Sequence, residues 1–515
     1  MHSLQNIICR LSLVFVMFFT PLASFAATYY VSASASGDSG SGTLSSPKKY
    51  ITSGLALMSS SGGDTLVVMP GTYADANDRI LSSSVPNGQP GAYNIIKAQT
   101  DGTVTIDASF NLSAVGAAQS SYLQFEGLKW RGPTGKSIVG HHIKILRCAF
   151  EGGPSSGNTT TFGIGTNNQT PGATDILIED SWFYGEGGRY EMLIFNSDRV
   201  ILRRVVARHD GGWCFNVCGG SGPPEAGVTV YNSKNILLQN VMVLDSNLIY
   251  QYWESTFYII NNTALLDNDN TVVDGALSIN NRGVSFKFDG PKAVTNAVIQ
   301  DSVSYGLGDG TGFGIALTGN PGSNSTLRNL TLMNAGTGVL VGSSATTNDL
   351  TNSILEGNTR AIMDNSGPGS NWTHSFNNCS NNNNNNCNST GETSYNARNN
   401  GLLYPVRIET GSTLDSAGIN GATVGATILF KLGVSGSLYN DTGARTTTSE
   451  SLWPWPSESR MKTDMCDEIS TGVADRGWCA SNKTLTQYIW ELLGNTIPGS
   501  LSPMASPSNA RSVKN

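Results

Sequence analysis

The sequence predicts an all-β fold, a parallel β-helix in which short strands stack into a solenoid. Three observations predict it. Aliphatic, any, aliphatic, any, then a polar or turn residue and a second short run recurs through the middle of the chain. Gly is abundant at 59 residues and Asn at 48, which suits many tight bends. Only 13% of residues are charged while 39% are hydrophobic, against about 25% charged in an ordinary globular chain. That hydrophobic content excludes a disordered chain and is sufficient for a long core. A net charge of −7 without basic blocks makes nucleic acid a poor partner.

Residues 1–26 have the pattern of a secretory signal. Arg10 supplies the positive region, Leu11 to Phe19 the apolar run, and Ser24-Phe25-Ala26 the small residues before a cut after Ala26. The run is too short to span a bilayer, and no membrane span is expected in the mature chain. The expected location is therefore secreted: medium, cell surface or periplasm. Export makes the cysteines readable as disulfides. Cys379/Cys387 and Cys466/Cys479 are close neighbours in loop-like sequence and are expected pairs. Cys214/Cys218 would close a smaller loop, with zinc as the alternative for this spacing. Cys148 is left as a small buried residue.

A cap should follow, because the ends of a strand stack expose unpaired edges. YYVSAS at 29–34 is a strand, and Ser46-Pro47 is the expected helix start, with Pro at the first helical position. Ile51, Leu55 and Met58 form its apolar stripe, and GGDTLVVMPGTY at 62–73 returns as a strand.

The repeat begins with LQFEGLKW at 123–130, IKILRCAF at 143–150, ILIEDSWF at 176–183 and VILRRVVA at 200–207. It continues with ILLQNVMV at 236–243, YIINNTAL at 258–265, AVIQDSVS at 297–304, TLRNLTLM at 326–333 and DLTNSILE at 349–356. The turn position falls at Gly127, Arg147, Asp180, Arg204, Asn240, Asn262, Asp301, Asn329 and Asn352. The intervals are 20, 33, 24, 36, 22, 39, 28 and 23 residues, a base period of about 22 with insertions in loops. Period-2 alternation makes each run a strand with one face inward. A third strand precedes each bend, as in TFGIGT at 161–166, YEMLIF at 190–195, GVTVYN at 227–232, LIYQYW at 248–253 and GVSFKF at 283–288.

The segment YYVSASASGDSGSGTLSSPKKYITSGLALMSSSGGDTLVVMPGTY resembles the N-terminal cap of secreted right-handed β-helix proteins, the pectin-lyase-like superfamily. With the repeats, the resemblance covers roughly Tyr29 to Gly418, and STLDSAG at 412–418 is similar to a last turn of such proteins. It implies a right-handed, single-stranded parallel β-helix over 27–418. It implies no single activity, because that superfamily holds polysaccharide lyases, glycoside hydrolases and non-catalytic surface proteins. Residues 377–400 are Asn-rich and are expected to be a mobile, disulfide-closed surface loop. Residues 419–515 form a small C-terminal element, a second cap, with a helix over LTQYIWELLG at 485–494. Trp453 and Trp455 are expected in its packing rather than on a sugar.

The resemblance places a sugar polymer along one strand stack, between overhanging loops. Ala207–Ala226 and Leu266–Arg282 are the expected overhangs. Alternation puts Tyr231, Gln251 and Trp253 outward as substrate-binding candidates, with Lys287 and Asp289 beside them. Polysaccharide is the expected partner. A lyase acting on an acidic polysaccharide needs a cation, a base and an acid. Lys287 or His209 is the candidate base, and Arg208 or Arg282 the clamp or proton donor. Asp267, Asp269 and Asp274 are candidate Ca2+ ligands. A hydrolase would instead pair Asp289 with Asp210 or Asp274. The remaining alternative is a non-catalytic envelope protein, an adhesin or structural β-helix.

Overall fold

Every third strand pairs in parallel with its predecessor, and this rule builds the molecule. The computed structural model describes residues 26–132, 134–153, 159–185, 188–210, 226–246, 254–262, 265–318, 323–343, 347–368, 370–384, 387–467 and 477–499. Among them, each coil gives one strand to each of three parallel sheets, of thirteen, twelve and eleven strands. Thr174–Glu179, for example, pairs with Gly140–Leu146 on one side and Asp198–Arg203 on the other. The result is the parallel β-helix that the repeat implies, with the right-handed crossover sense general to parallel connections.

Register stacks like on like in the interior. Leu123, Ile143, Ile176, Val200 and Ile236 are aligned rung by rung and fully buried. Trp130, Phe150 and Phe183 stack in the twelve-stranded sheet with centroids 4.9 Å apart at each step. That spacing is the distance between neighbouring strands, so the aromatic column adds contact at no cost to the ladder.

The bends between the thirteen- and twelve-stranded sheets have positive φ at Gly127, Arg147, Asp180, Arg204, Asn240, Asp301, Asn329 and Asn352, as the repeat requires. The two arginines tolerate this conformation because their side chains are tied at the corner. Arg204 binds Asp180, one coil earlier, at 2.6 and 3.2 Å, and Arg147 binds Asp101 and Glu126 at 2.7 Å each.

One coil differs from the sequence reading. The bend is at Gly275 (φ 67°), not Asn262. The run at 258–265 overlaps Glu254–Ile260, a strand of the eleven-stranded sheet, and the strand expected there lies at Asp269–Asp274. Leu266–Arg282 is therefore not an overhanging loop, since it holds the strands Asp269–Asp274 and Leu277–Ile279. Both strand types are alternating aliphatics followed by Asn, so the pattern alone does not tell one sheet from another.

The cap is formed by the strands Thr28–Val31 and Thr65–Val68 and the helix Ile51–Leu55. The helix starts at Ile51 rather than Pro47. Asp38 Oδ1 accepts the N–H groups of Lys49 and Tyr50, and Asp78 Oδ1 accepts that of Ile51, so distant carboxylates set its first turn. Ile51, Leu55 and Met58 are buried as expected.

The Asn-rich segment begins as structure rather than as a loop. Asn378–Ser380 is the last strand of the twelve-stranded sheet, and Asn377 and Asn378 are fully buried. Asn377 Oδ1 accepts the Ser353 N–H and Asn382 Oδ1 that of Asn358, both at 2.9 Å. Cys379–Cys387 and Cys466–Cys479 are disulfide-bonded, and Cys148 is free and buried. Cys214 and Cys218 lie outside the described residues.

The C-terminal element is a lateral strap, not an end cap. It turns back at the last coils, where the Ile419 N–H meets Asn352 Oδ1 and the Ala426 N–H meets Thr331 Oγ1. It then runs back along the solenoid. Leu432 N–H binds Asn240 Oδ1, and the buried Arg203 guanidinium holds Glu179 at 2.9 Å and the carbonyls of Val434 and Ala444. Trp453, Trp455, Trp478 and Trp490 then pack on Trp182, Tyr184, Met242 and Leu277, on the outer face of the twelve-stranded sheet. The helix Leu485–Trp490, capped reciprocally by Thr484 and Gln487, buries Leu485 and Ile489 there. No helix among the described residues is long and apolar enough to cross a membrane.

Candidate functional site

The strap decides which two faces are covered. It covers the twelve-stranded sheet, and through Leu438 and Ala444 it also covers Leu177, Ile201 and Leu237 on the thirteen-stranded sheet. Among the described residues it contributes nothing to the cluster on the eleven-stranded sheet, where Tyr190, Ala226, Tyr258 and Ile260 pack with Leu193 and Tyr231. A groove of about 480 Å³ lies on that face.

Three neighbouring strands, Tyr190–Phe195, Ala226–Tyr231 and Glu254–Ile260, supply its floor, and Asn167, Arg189 and Asn262 rim it. Pairing aligns Phe195, Tyr231, Ile260 and Asp289 in one row and Leu193, Thr229, Tyr258 and Lys287 in the next. The inward residues of the same strands, Met192, Val228 and Phe257, are core. Alternation thus fixes Leu193, Phe195, Tyr231, Tyr258 and Ile260 on the outer face, while Tyr190 reaches the groove from the first position of its strand.

Aromatic and charged groups meet along it. Phe195 and Tyr231 meet edge to face at 5.3 Å, and Asn262 donates its side-chain amide to the Tyr231 hydroxyl. The Arg189 guanidinium lies 5.5 Å over the Tyr190 ring. Toward the next coil, Lys287 Nζ lies 4.8 Å over the Tyr258 ring and 2.8 Å from Asp289 Oδ2. The Tyr258 hydroxyl donates to the same carboxylate at 3.2 Å, and the Gly290 N–H at 2.8 Å. Burial works to raise Asp289, but Lys287 and these donors hold it below the ordinary carboxylate range. The two cation-capped tyrosines are on strands two rungs apart, about 10 Å at β spacing.

Of the residues singled out from sequence, Tyr231 lines the groove and Lys287 and Asp289 adjoin it. Trp253 and Gln251 lie outside the described residues. His209 is buried, its N–H on Ser246 Oγ and its Nε2 3.2 Å from the Gly188 carbonyl. Arg208 faces the strap, bound to Asp210 at 2.8 Å and to the Met465 carbonyl at 2.7 Å. Arg282 pairs with Asp309 at 3.2 Å. Asp210 also accepts the Gly185 N–H, and Asp274 lies at the opposite corner under the strap, so neither faces Asp289 across the groove.

The three aspartates proposed for Ca2+ are separately engaged. Asp267 pairs with Lys292 at 2.8 Å, Asp269 accepts from Thr295 and Asn296, and Asp274 accepts from Gln300. Asp269 and Asp274 are the two ends of one strand, about 16 Å apart at the β rise. Among the described residues no group of three or more His, Cys, Asp or Glu is placed to hold a metal. Arg189, Tyr190, Phe195 and Tyr258 were not singled out from sequence. The alternation of YEMLIF pointed to Phe195, but Tyr258 was hidden by its assignment to the wrong strand.

No protein-family model and no curated protein matches this chain. Solved structures do. Pectate lyase Pel9A aligns at 15% identity over 78% of this chain and 95% of its own, with a TM-score of 0.41. XylC in complex with xylose aligns at 8% identity over 72% and 87%, with a TM-score of 0.47. The A-module of the mannuronan C-5 epimerase AlgE4 from Azotobacter vinelandii aligns at 14% identity over 67% and 90%, with a TM-score of 0.40.

Proposed function

We propose that this protein is exported and binds an acidic polysaccharide along the outer face of its eleven-stranded sheet. The observation that carries the reading is the cluster of Tyr190, Phe195, Tyr231 and Tyr258 with Arg189 and Lys287 above two of the rings. Aromatic faces stack on pyranose rings, and the two cations complement uronate carboxylates. A parallel sheet repeats its side chains every rung, which suits a repeating polymer. The two disulfides support an oxidising compartment. Affinity electrophoresis against acidic and neutral polysaccharides tests this. Retardation by acidic polymers, lost in Tyr231→Ala, is expected, and equal mobility in all gels overturns it.

Lyase chemistry is the second reading, favoured by the Lys287–Asp289–Tyr258 contact. Lys287 is placed to exchange the Asp289 carboxylate for a uronate carboxylate, and the Tyr258 hydroxyl is a proton-transfer group on the same face. Absorbance from unsaturated uronates, followed with and without calcium, tests it. No signal in either condition leaves a binding protein, and Lys287→Ala with unchanged turnover removes that residue.

A further inference from the structure

A second cluster of reactive side chains lies far from the groove, at the last coils. His374 sits on the strand Asn371–Ser375, the final strand of the thirteen-stranded sheet. Its Nδ1 is 2.7 Å from Glu392 Oε1, and its Nε2 is 3.3 Å from Ser389 Oγ. An ionised Glu392 can only accept, so Nδ1 carries the proton and Nε2 is left to accept from the serine. Glu392 is fixed from three sides: it also accepts the Ser389 N–H at 2.8 Å and the Asn377 amide at 3.1 Å. Its side chain is 1% exposed, against 16% for His374. Burial works to raise it, and His374 with these donors holds it below the ordinary glutamate range. A buried carboxylate, an oriented imidazole and a half-buried hydroxyl follow the order of a nucleophilic triad, and the 3.3 Å contact lies in the looser range of such pairs before substrate binds.

The cluster opens on a cavity of about 450 Å³, lined by Trp372, His374, Asn388, Ser389 and Thr390 among others. A hydrogen-bonded trio serving only to hold the last coil would not require that opening. Trp372 lies 5.9 Å from the His374 ring and offers an apolar wall. Asn388 and Thr390 flank Ser389 and bring neutral polar groups to the same space.

We propose that Ser389, His374 and Glu392 form a hydrolytic triad that cleaves small carboxylic esters, such as an O-acyl group carried on a sugar hydroxyl. Ser389 Oγ forms a bond to the ester carbonyl carbon as its proton passes to His374 Nε2. The C–O bond to the alcohol breaks, and His374 returns the proton to the departing oxygen. Water, deprotonated by the same nitrogen, then bonds to the acyl carbon; the bond from that carbon to Ser389 Oγ breaks, His374 returns the proton to Oγ, and the carboxylic acid leaves. Glu392 is the positioning residue that keeps Nδ1 protonated and the ring aligned.

The test is to treat the full chain with a fluorophosphonate probe and map the adduct by peptide mass spectrometry, alongside hydrolysis of p-nitrophenyl acetate. The adduct is expected on Ser389, and Ser389→Ala is expected to lower p-nitrophenol release at least 100-fold with an unchanged melting temperature. His374→Ala should abolish the adduct, whereas Glu392→Gln should slow labelling without moving its site. A wild-type protein that labels elsewhere or not at all, or a folded Ser389→Ala with the wild-type rate, overturns the proposal. Because labelling is scored on the wild-type chain, a variant that fails to fold does not decide the outcome.

Discussion

Lys287 Nζ and Asp289 Oδ2 are 2.8 Å apart on the outer face of one strand, two residues from each other, at the edge of the aromatic groove. The ion pair sets the charge that a polyanion would meet there. Asp289→Asn removes the competing carboxylate and is expected to tighten binding of an acidic polysaccharide several-fold. Lys287→Ala is expected to weaken it by a similar factor. Titrations at low and high salt check both, since a half-exposed charge contact is screened. Asp289 is held below its ordinary value, so the stability it contributes is present above the unfolded carboxylate range and is lost as pH falls through the lower folded value. Asp289→Asn should therefore flatten the acid limb of a melting-temperature profile.

Asp301 gives the opposite pH dependence. It occupies a bend (φ 44°) beneath the strap, in a small cavity shared with Asp274, Gln300 and Thr427. Burial, then the neighbouring Asp274, pushes it up to about 7, against the weaker opposing effects of the Thr427 N–H and Arg328. The folded chain thus holds a proton there that the unfolded chain releases above about pH 4. Between those values the folded state binds more protons, so stability falls as pH rises toward 7 and is flat above it. Asp274 is raised as well and acts in the same direction. Asp301→Asn should raise the melting temperature at pH 8 and reduce the decline between pH 5 and 7. An unchanged profile would remove Asp301 as its source.

The strap is expected to be required for stability but not for the groove. Trp453 is buried among strap and solenoid side chains, and its indole N–H donates to the Ile428 carbonyl at 2.7 Å. Trp453→Ala should cost about 3–5 kcal/mol, the range for a large aromatic removed from a core. Replacing Cys466 and Cys479 by serine opens a link of sequence separation 13 and should cost roughly 2–4 kcal/mol. Denaturant unfolding checks both values. Polysaccharide affinity of the folded serine variant should equal that of the wild type, because no described residue of the strap lines the groove.

The solenoid was legible because its bends select residue type. A left-handed backbone admits Gly, Asn and Asp readily, so eight of the nine expected bends stand where the repeat places them. Asn262 misled because an Asn after alternating aliphatics also ends a strand of the eleven-stranded sheet. The path of the strap was not legible. Leu432 meets Asn240 across 192 residues and Arg460 meets Arg147 across 313, and no local pattern encodes such partners. The candidate site was legible only in part. Strand alternation exposes Tyr231, Lys287 and Asp289, but it cannot show that His209 is enclosed or that Arg208 is held by Met465.

Asn377 distinguishes the structural asparagines from the merely abundant ones. It is fully buried, accepts the Ser353 N–H at 2.9 Å, and donates to the Leu350 carbonyl and to Glu392, both at 3.1 Å. Asn377→Ala strands the Ser353 N–H in the interior, where an unpaired donor costs about 1–3 kcal/mol. Asn383, by contrast, is exposed, and Asn383→Ala should stay within about 0.5 kcal/mol of wild type. Chemical denaturation of the pair measures the difference. If the two substitutions cost the same, the asparagines of this segment act by composition alone. A larger loss at Asn377 means that its side chain completes the last coil in place of backbone partners.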